Sequence, residues 1–357
     1  MNYIGSKLSL LKFLEESINK VVDKNSRVFC DLFAGTGIVG AYFKKRGYSV
    51  ISNDLQYYSY VLNKHYIENH RVLKFDGLAN IIPSLKNVKL QERKDAVCNY
   101  LSDIAGVEGF IYRNYCSSGT KNQKEQRQYF SDENGKKCDA IRQKIERWRN
   151  KKIITDGEYY FLLTSLIESI DKYANTASVY GAFLKKLKKS AQRIFILKPA
   201  ELIINDQEHC VFNEDVNKLI KKIEGDVLYL DPPYNQRQYA TNYHILETIA
   251  RYDNPNIHGK TGLRDYEDQK SEYCSRPKVK QAFKDLIDNA NVKYIFLSYN
   301  NEGLMTPADI QEIMSTRGEY GCFTQKYSRF KADKGREYKA DETVEYLHYV
   351  ICNKRAK

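Results

Sequence analysis

The sequence predicts an α/β fold, in which a parallel β-sheet flanked by helices is interrupted by a mostly helical, basic insertion. Three observations support this prediction. A strand, a turn, a helix and a second strand follow one another from Val28 to Asp54. Another short apolar strand ends at Asp231, and apolar residues recur at three- and four-residue spacing from Glu158 to Tyr173. The chain has 357 residues, enough for one large domain or two modest ones.

The start of the sheet is marked by changes in the apolar pattern. Residues 28–32 form a short apolar run, residues 34–37 carry two glycines that break it, and residues 38–46 continue at helical spacing. Residues 50–54 follow as a second strand. Such a βαβ unit implies parallel strands that are joined by a right-handed crossover.

Three further strands are predicted later in the chain. Residues 226–230 form an apolar run that stops at Asp231-Pro232-Pro233-Tyr234, because two prolines cannot continue a central strand. Residues 293–299 and 345–352 are the other strand candidates. The sheet is therefore predicted to draw its strands from both ends of the sequence.

The helical insertion carries more than half of the chain's positive charge surplus. We expect a core formed by residues 1–75 and 199–357 and an insertion of residues 76–198. The net charge is +12; residues 121–152 hold eleven basic and five acidic side chains, and residues 183–193 hold five basic side chains and no acid. A solvated basic face would explain a charge run alone. Together with 29 tyrosines, whose rings can stack on bases, the charge favours a nucleic-acid partner.

Composition argues against several other classes of protein. The sequence shows no run of about 20 apolar residues and no secretory leader pattern, so we expect a soluble, cytoplasmic protein. The eight cysteines include no Cys-x-x-Cys pair, and the six histidines include no pair at i, i+4 spacing. We therefore expect neither a disulfide framework nor a metal centre.

A glycine motif predicts a nucleotide-like cofactor. Gly35-Thr36-Gly37-Ile38-Val39-Gly40 has G-x-G-x-x-G spacing between a strand and a helix, and Asp54 lies seventeen residues after Gly37. Glycines let the backbone approach a ligand closely, and an acid that ends the second strand can hold ribose hydroxyls. The motif alone leaves nicotinamide cofactors and S-adenosylmethionine open, and the glycines could also serve only a tight turn.

The Asp231-Pro232-Pro233-Tyr234 turn favours methyl transfer. It follows a buried strand and so should lie at the carboxyl edge of the sheet, where ligands of this architecture bind. A rigid turn could direct the Asp231 carboxylate and the Pro232 carbonyl at one amino group, which leaves the nitrogen lone pair free to attack a methyl carbon. Tyr234 could stack on the base, a contact worth about 1–3 kcal/mol.

Four motifs together resemble those of a known family. Asn2-Tyr3-Ile4-Gly5-Ser6-Lys7, Asp31-Leu32-Phe33-Ala34-Gly35-Thr36-Gly37, Asn53-Asp54 and Asp231-Pro232-Pro233-Tyr234 occur in this order. They resemble the alpha-class, Dam-like DNA adenine-N6 methyltransferases of bacteria and phages, which include type II restriction-modification methylases. The resemblance implies a Rossmann-like S-adenosylmethionine-dependent methyltransferase core with a helical DNA-recognition insertion. It also implies that the target adenine is flipped out of the duplex.

The resemblance also assigns roles to residues of this sequence. Catalysis falls to Asp231, Pro232, Pro233 and Tyr234. The expected cofactor contacts are Tyr3 and Lys7 with the methionine part, Asp31, Phe33, Ala34, Gly35, Thr36 and Gly37 around it, Asp54 with the ribose, and Asp215 with the adenine. Our candidates for DNA binding, chosen on charge and position, are Arg113, Arg127, Arg237 and Tyr239.

Other functions remain open from the sequence alone. The same fold could methylate RNA adenine, cytosine or a protein glutamine, although Asp231 at the start of the turn and the basic insertion favour adenine in double-stranded DNA. A nicotinamide oxidoreductase would explain only the glycine motif, and a silent DNA-binding module would not need the Asp-Pro-Pro-Tyr turn. We expect a monomer that protects host DNA from a cognate restriction endonuclease, with a solitary regulatory methylase as the alternative.

Overall fold

The structure is a computed structural model that describes residues 3–328 and 342–353. The β-strands of these ranges are β1 (Val28–Asp31), β2 (Ser49–Asn53), β3 (Cys210–Phe212), β4 (Val227–Leu230), β5 (Ile257–His258), β6 (Leu263–Arg264), β7 (Tyr294–Asn300), β8 (Gly318–Ser328) and β9 (Glu342–Cys352). The α-helices are α1 (Leu11–Val21), α2 (Ile38–Lys44), α3 (Tyr57–Asn63), α4 (Arg93–Asp103), α5 (Phe110–Tyr115), α6 (Asp132–Asn150), α7 (Asp156–Tyr173), α8 (Val216–Leu219), α9 (Tyr239–Arg251), α10 (Val279–Asn289) and α11 (Pro307–Ser315). None of these helices is long and apolar enough to cross a membrane.

The chain forms two compact units, which we call the sheet unit and the helical unit. Of the described residues, the sheet unit contains 4–63, 205–239, 267–328 and 342–353, and the helical unit contains residue 3, 64–204 and 240–266. The helical unit thus begins before residue 76 and includes most of α9. Helix α9 is joined to this unit because the buried guanidinium of Arg142, on α6, donates to the carbonyl oxygens of Ile249 and Ala250 on α9. The assignment of residues 76–198 to target recognition concerns function and stays a prediction.

The sheet unit is built on seven strands in the order β3-β2-β1-β4-β7-β9-β8. The first five strands are parallel, and β9 runs antiparallel to both β7 and β8. The predicted α/β class and the predicted strands at β1, β2, β4, β7 and β9 are confirmed. The sequence analysis missed β8, the edge strand that pairs with β9.

Burial on both faces of the sheet explains why its central strands are continuously apolar. Every residue of β4 and β7 is buried, as expected for parallel strands covered by helices on both sides. One face packs against Leu14 and Ile18 of α1 and Phe43 of α2. The other face packs against side chains of α8, α10 and α11, which are Val216, Leu219, Phe283, Leu286, Ile287, Ile310 and Met314.

The strand order reverses between β1 and β4. The chain passes from β1 to β2 to β3 on one side of the sheet and returns to β4 on the other side of β1. Ligands of open α/β sheets bind at the carboxyl ends of the strands at such a reversal of strand order. Asp31 ends β1 and Asp231 directly follows β4, so the fold brings two predicted site residues to this edge.

The helical unit contains α4, α5, α6, α7, nearly all of α9 and the hairpin formed by β5 and β6. α7 begins with a capping box, in which the side chains of Thr155 and Glu158 each accept from the other residue's backbone N–H. α9 is kinked at Tyr243, whose φ of −129° and ψ of 22° are not helical. Residues 174–204 form neither helix nor strand, although helical spacing was expected to continue to Lys198.

Candidate active site

The glycine loop after β1 has a backbone that only glycine adopts easily. Gly37 has a φ of +76°, and a Cβ added there would lie 2.7 Å from Oδ1 of Asn63. Gly35 is also left-handed, with a φ of +52°. The buried amide of Asn63, at the end of α3, donates to the Gly35 carbonyl at 3.1 Å and accepts from the Ser52 hydroxyl at 2.7 Å. A packed side chain therefore fixes the shape of this loop.

The acidic end of β2 organises the same loop. Asp54 accepts from the Gly35 N–H through Oδ2 and from the Gln56 N–H through Oδ1, both at 2.8 Å. A carboxylate oxygen can accept more than one hydrogen bond, so these contacts leave capacity for hydroxyl groups. The preceding residue, Asn53, is buried; its amide donates to the Glu214 carbonyl at 3.1 Å and accepts from the Glu214 N–H at 3.0 Å.

Asp31 is a buried acid with one oxygen that lacks a partner. Its side chain is 1% exposed, and Oδ2 accepts from the Gly40 N–H at 3.1 Å. Oδ1 has no hydrogen-bond partner among the described residues. Burial raises the pKa of Asp31 to about 8, and the negative charge of Asp231 contributes to the rise. A buried acceptor of this kind suits a ligand that brings an N–H group or a positive charge.

Three charged side chains form a buried group, which we call the acid–lysine cluster: Lys7, Asp231 and Glu345. The Lys7 ammonium lies 2.7 Å from Glu345 Oε1 and 3.2 Å from Asp231 Oδ1. The Lys7 and Glu345 side chains are 6% and 1% exposed, whereas that of Asp231 is 19% exposed. The hydroxyl of Ser298, on β7, donates to the same Glu345 oxygen. Of the three, Asp231 is the one that solvent or a substrate can reach.

Burial and the neighbouring charges shift the pKa values in this cluster. Burial raises the pKa of Asp231 to about 6, while the positive charge of Lys7 acts in the opposite direction. Burial alone would lower the pKa of Lys7, but Asp231 and Glu345 together raise it well above its usual value. Lys7 therefore stays charged, and Asp231 is ionised at neutral pH.

The Asp-Pro-Pro-Tyr turn is braced by the segment that follows β7. The Tyr234 carbonyl accepts from the Leu304 N–H at 3.1 Å, and the Tyr299 hydroxyl accepts from the N–H groups of Leu304 and Met305 at 3.1 and 3.3 Å. Pro232 is buried, and the half-buried ring of Tyr234 packs on the face of the sheet that carries α10. The turn is thus held at Tyr234 by the segment that follows β7.

The remaining predicted cofactor residues, and Pro233 of the catalytic turn, occupy varied environments. Ala34 donates its N–H to the Asn53 carbonyl at 3.0 Å, and the Phe33 ring contacts Tyr273 edge-on at 4.9 Å. Thr36 and Pro233 are half-buried. Asp215 is exposed and caps α8 by accepting the Lys218 N–H at 3.1 Å. Capping occupies one oxygen of Asp215, so its assignment to cofactor adenine stays a prediction.

Tyr3 and Lys7, predicted to act together, fall in different units. Tyr3 belongs to the helical unit, where its ring stacks on Tyr243 with a centroid distance of 4.8 Å. Lys7 belongs to the sheet unit, where it contacts Asp231. Asn2, which was part of the same motif, lies outside the described residues.

The four candidates for DNA contact differ in exposure. Arg113, on α5, and Arg237 are exposed, and the Tyr239 hydroxyl lies beside Gly5. Arg127 is only 5% exposed. Its guanidinium donates to the carbonyls of Gly259 and Lys260 at 2.9 and 3.2 Å, and also to the Asn114 carbonyl and the Gln123 side chain. In this conformation Arg127 anchors the β5–β6 hairpin and does not present its charge to a phosphate.

Sequence reasoning missed the residues that support the site from a distance. Asn63 carries no motif, because a single polar residue in a helix gives no functional signal. Glu345 did give a signal in the sequence. It alternates along β9 with Leu347, Tyr349 and Ile351, which pack on the core, and a charged residue is unexpected in such a position. An acid in an apolar strand position predicts a buried partner.

Comparison with known proteins identifies the family. The family model described as D12 class N6 adenine-specific DNA methyltransferase matches residues 3–313. The Type II methyltransferase M.NlaIII of Neisseria lactamica is 51% identical over 353 residues, which cover 98% of each chain. The Type II methyltransferase M.CviAII of Paramecium bursaria Chlorella virus 1 is 35% identical over 351 residues, again with 98% of each chain covered.

A further relative is longer than this chain. The Type II methyltransferase M.FokI of Planomicrobium okeanokoites is 40% identical over 354 residues, which cover 98% of this chain and 52% of that protein.

The family match and these identities show that the chain belongs to the D12 class of N6 adenine-specific DNA methyltransferases. This confirms the resemblance drawn from the four motifs and the predicted adenine-specific activity on DNA.

Proposed function

We propose that this protein transfers a methyl group from S-adenosylmethionine to the exocyclic amino group of adenine in double-stranded DNA, with Asp231, Pro232, Pro233 and Tyr234 at the reacting centre. The observation that carries the proposal is the Asp231 carboxylate, which is rigidly held after β4 and partly accessible. It lies at the reversal of strand order where α/β sheets bind ligands. The same features support a Rossmann-like methyltransferase core.

The residues of the glycine loop fit S-adenosylmethionine. Asp31 offers a buried carboxyl oxygen to which no described residue donates, and such an oxygen suits the cationic amino group of a methionine moiety. Asp54 has capacity for ribose hydroxyls, and the left-handed Gly35 and Gly37 allow close backbone approach. We assign Phe33, Ala34, Thr36 and, more peripherally, Asp215 to the same binding site. When bound, S-adenosylmethionine supplies an electrophilic methyl group.

Asp231 and Tyr234 then act on the adenine. The Asp231 carboxylate and the Pro232 carbonyl each accept one N–H of the amino group, which holds the nitrogen lone pair free to react. Because the pKa of Asp231 is raised to about 6, its carboxylate is also a suitable acceptor for the proton that the nitrogen loses. The partly buried Tyr234 ring offers a stacking surface for a flipped base.

We assign target recognition to the helical unit and to the start of α9. Arg113 on α5 and Arg237 after the catalytic turn are exposed cations, and such side chains neutralise DNA phosphates. Tyr239 begins α9 only five residues after Tyr234, so it can contact the DNA strand next to the flipped base. Arg127 takes part by holding the hairpin that carries Lys260.

We also propose that the protein acts as a monomer and protects host DNA from a cognate restriction endonuclease. The Type II names of its relatives support this role. Mapping of the methylated sites, followed by digestion with an endonuclease that cuts the mapped sequence, tests protection. Light scattering of the protein alone and with one duplex tests the oligomeric state.

The proposed reaction is tested by transfer of labelled methyl from S-adenosylmethionine to unmethylated plasmid DNA, with nucleoside analysis of the product. We compare the native protein with Asp231→Ala and with Asp206→Ala, which removes an exposed carboxylate before β3. Methyladenine from the native protein and from Asp206→Ala, with a loss of about 100- to 1,000-fold for Asp231→Ala, is the expected result. Methylcytosine, or no transfer to DNA while cofactor binding is retained, would overturn the proposal.

A further inference from the structure

Glu345 is the member of the acid–lysine cluster that no motif accounts for. It lies in β9, 338 residues after Lys7, and its side chain is 1% exposed. A buried carboxylate is costly unless it is paired and hydrogen-bonded. Glu345 has both kinds of partner, because Lys7 and the Ser298 hydroxyl each contact the same oxygen, Oε1.

The Lys7 ammonium lies between two carboxylates and is closer to Glu345 than to Asp231. It is 2.7 Å from Glu345 and 3.2 Å from Asp231, so the closer contact is with the residue that is not in the catalytic turn. If Glu345 carried no charge, Asp231 would be the only carboxylate of the cluster and would draw the ammonium towards itself. A tighter ion pair would then occupy an Asp231 oxygen, in competition with the substrate amino group.

We infer that Glu345 is a positioning residue that holds Lys7 partly away from Asp231, so that the Asp231 carboxylate stays available to the adenine amino group. This inference rests on the proposed role of Asp231. Lys7 then keeps the Asp231 carboxylate charged and still leaves it able to accept a hydrogen bond from the substrate. The Ser298 hydroxyl fixes the Glu345 oxygen in the position that this requires.

Several other titratable groups surround the cluster and contribute to any pH dependence. Asp31 at the end of β1 and Tyr229 in β4 interact electrostatically with Asp231. Tyr234 interacts with all three residues of the cluster and with Glu302, and His348 in β9 interacts with Glu345. The test must therefore compare variants that change the charge at position 345 alone.

The experiment measures the pH dependence of single-turnover methyl transfer to duplex DNA at saturating S-adenosylmethionine. Glu345→Gln removes the charge but keeps the shape. It should move the acidic limb of the rate profile about one pH unit lower, because a nearby like charge no longer opposes ionisation of Asp231. The plateau rate should also fall by about tenfold, since Lys7 now competes for the carboxylate. Glu345→Asp keeps the charge and should leave the acidic limb where it is in the native protein.

Glu319→Gln is the matched control, because Glu319 is exposed on the neighbouring strand β8 and its replacement should change neither quantity. A slower Glu345→Gln enzyme whose acidic limb coincides with that of the native protein would overturn the inference and leave Glu345 a purely structural role. A limb that moves to higher pH would also overturn it. An inactive native protein would instead count against the proposed reaction, so the two failures are distinguishable.

Discussion

Two buried cations, Lys7 and Arg127, are neutralised in different ways. In the acid–lysine cluster of the sheet unit, Lys7 faces the carboxylates of Asp231 and Glu345. In the helical unit, Arg127 faces backbone carbonyls and one amide oxygen. Carboxylates can change their charge with pH, whereas backbone carbonyls cannot. The comparison teaches that burial of a charge does not by itself mark a reactive site, because the partners that neutralise the charge decide what it can do.

The largest effect that we expect from this comparison is on stability. Arg127→Met should lower the free energy of unfolding by about 3 kcal/mol, because the substitution leaves several buried carbonyl oxygens without a donor. Thermal and chemical unfolding of the variant measure this loss. At a temperature where the variant is fully folded, its single-turnover rate at saturating DNA should match that of the native protein.

An Arg127→Met variant that unfolds like the native protein but binds DNA more weakly would contradict the structural role of Arg127. Arg127 would then be a direct DNA contact, as the sequence first indicated. The hairpin would in that case need another support, for which the Tyr115 hydroxyl, bonded to the Gly262 carbonyl at 2.9 Å, is the nearest candidate.

The next prediction concerns the glycine loop. Gly37→Ala should weaken S-adenosylmethionine binding by about tenfold or more, because the new Cβ would press on Asn63 and shift the loop that Asn63 holds. Gly47→Ala is the matched control: Gly47 has a φ of +85°, and a Cβ there meets nothing within 4 Å. Both variants should lose about 1 kcal/mol of stability from backbone strain. Calorimetric titration should show weaker binding only for Gly37→Ala, and equal affinities in the two variants would contradict this account.

The smallest expected effect is that of a single exposed cation. Arg113→Ala should weaken DNA binding by a few fold and reduce the slope of log affinity against log salt by about one, without a change in stability. Lys12→Ala removes another exposed charge, from α1 of the sheet unit, and should leave the slope unchanged. Fluorescence anisotropy over a salt series measures both, and identical slopes in the two variants would remove Arg113 from the interface.

The sequence predicted those features that depend on local pattern. The strands at β1, β2, β4, β7 and β9, the glycine loop and the Asp-Pro-Pro-Tyr turn all follow from short runs of apolar residues, glycines and prolines. The position of Asp231 at the carboxyl edge of the sheet followed from its place directly after a buried strand. These features were accessible because neighbouring residues determine them.

The partners of buried charges could not be predicted in the same way. Lys7 was assigned to the cofactor, since nothing near it in sequence indicates that Asp231 and Glu345 would approach its ammonium. Arg127 was interpreted as a surface cation because it lies in a basic run, and its actual partners are carbonyl oxygens, which every residue carries. Contacts with backbone atoms therefore cannot be predicted from residue types.

The central claim is that the Asp231 carboxylate, kept ionised by Lys7, receives the adenine amino group. The pH dependence of single-turnover methyl transfer by the native protein and by Lys7→Gln tests it most directly. Because the pKa of Asp231 is raised to about 6, the native rate should fall as the pH drops through that value. Without Lys7 the pKa should rise further, and the acidic limb should move to higher pH by about one unit or more. A native rate that is constant from about pH 5 to 8, or a limb that Lys7→Gln leaves in place, would contradict the account.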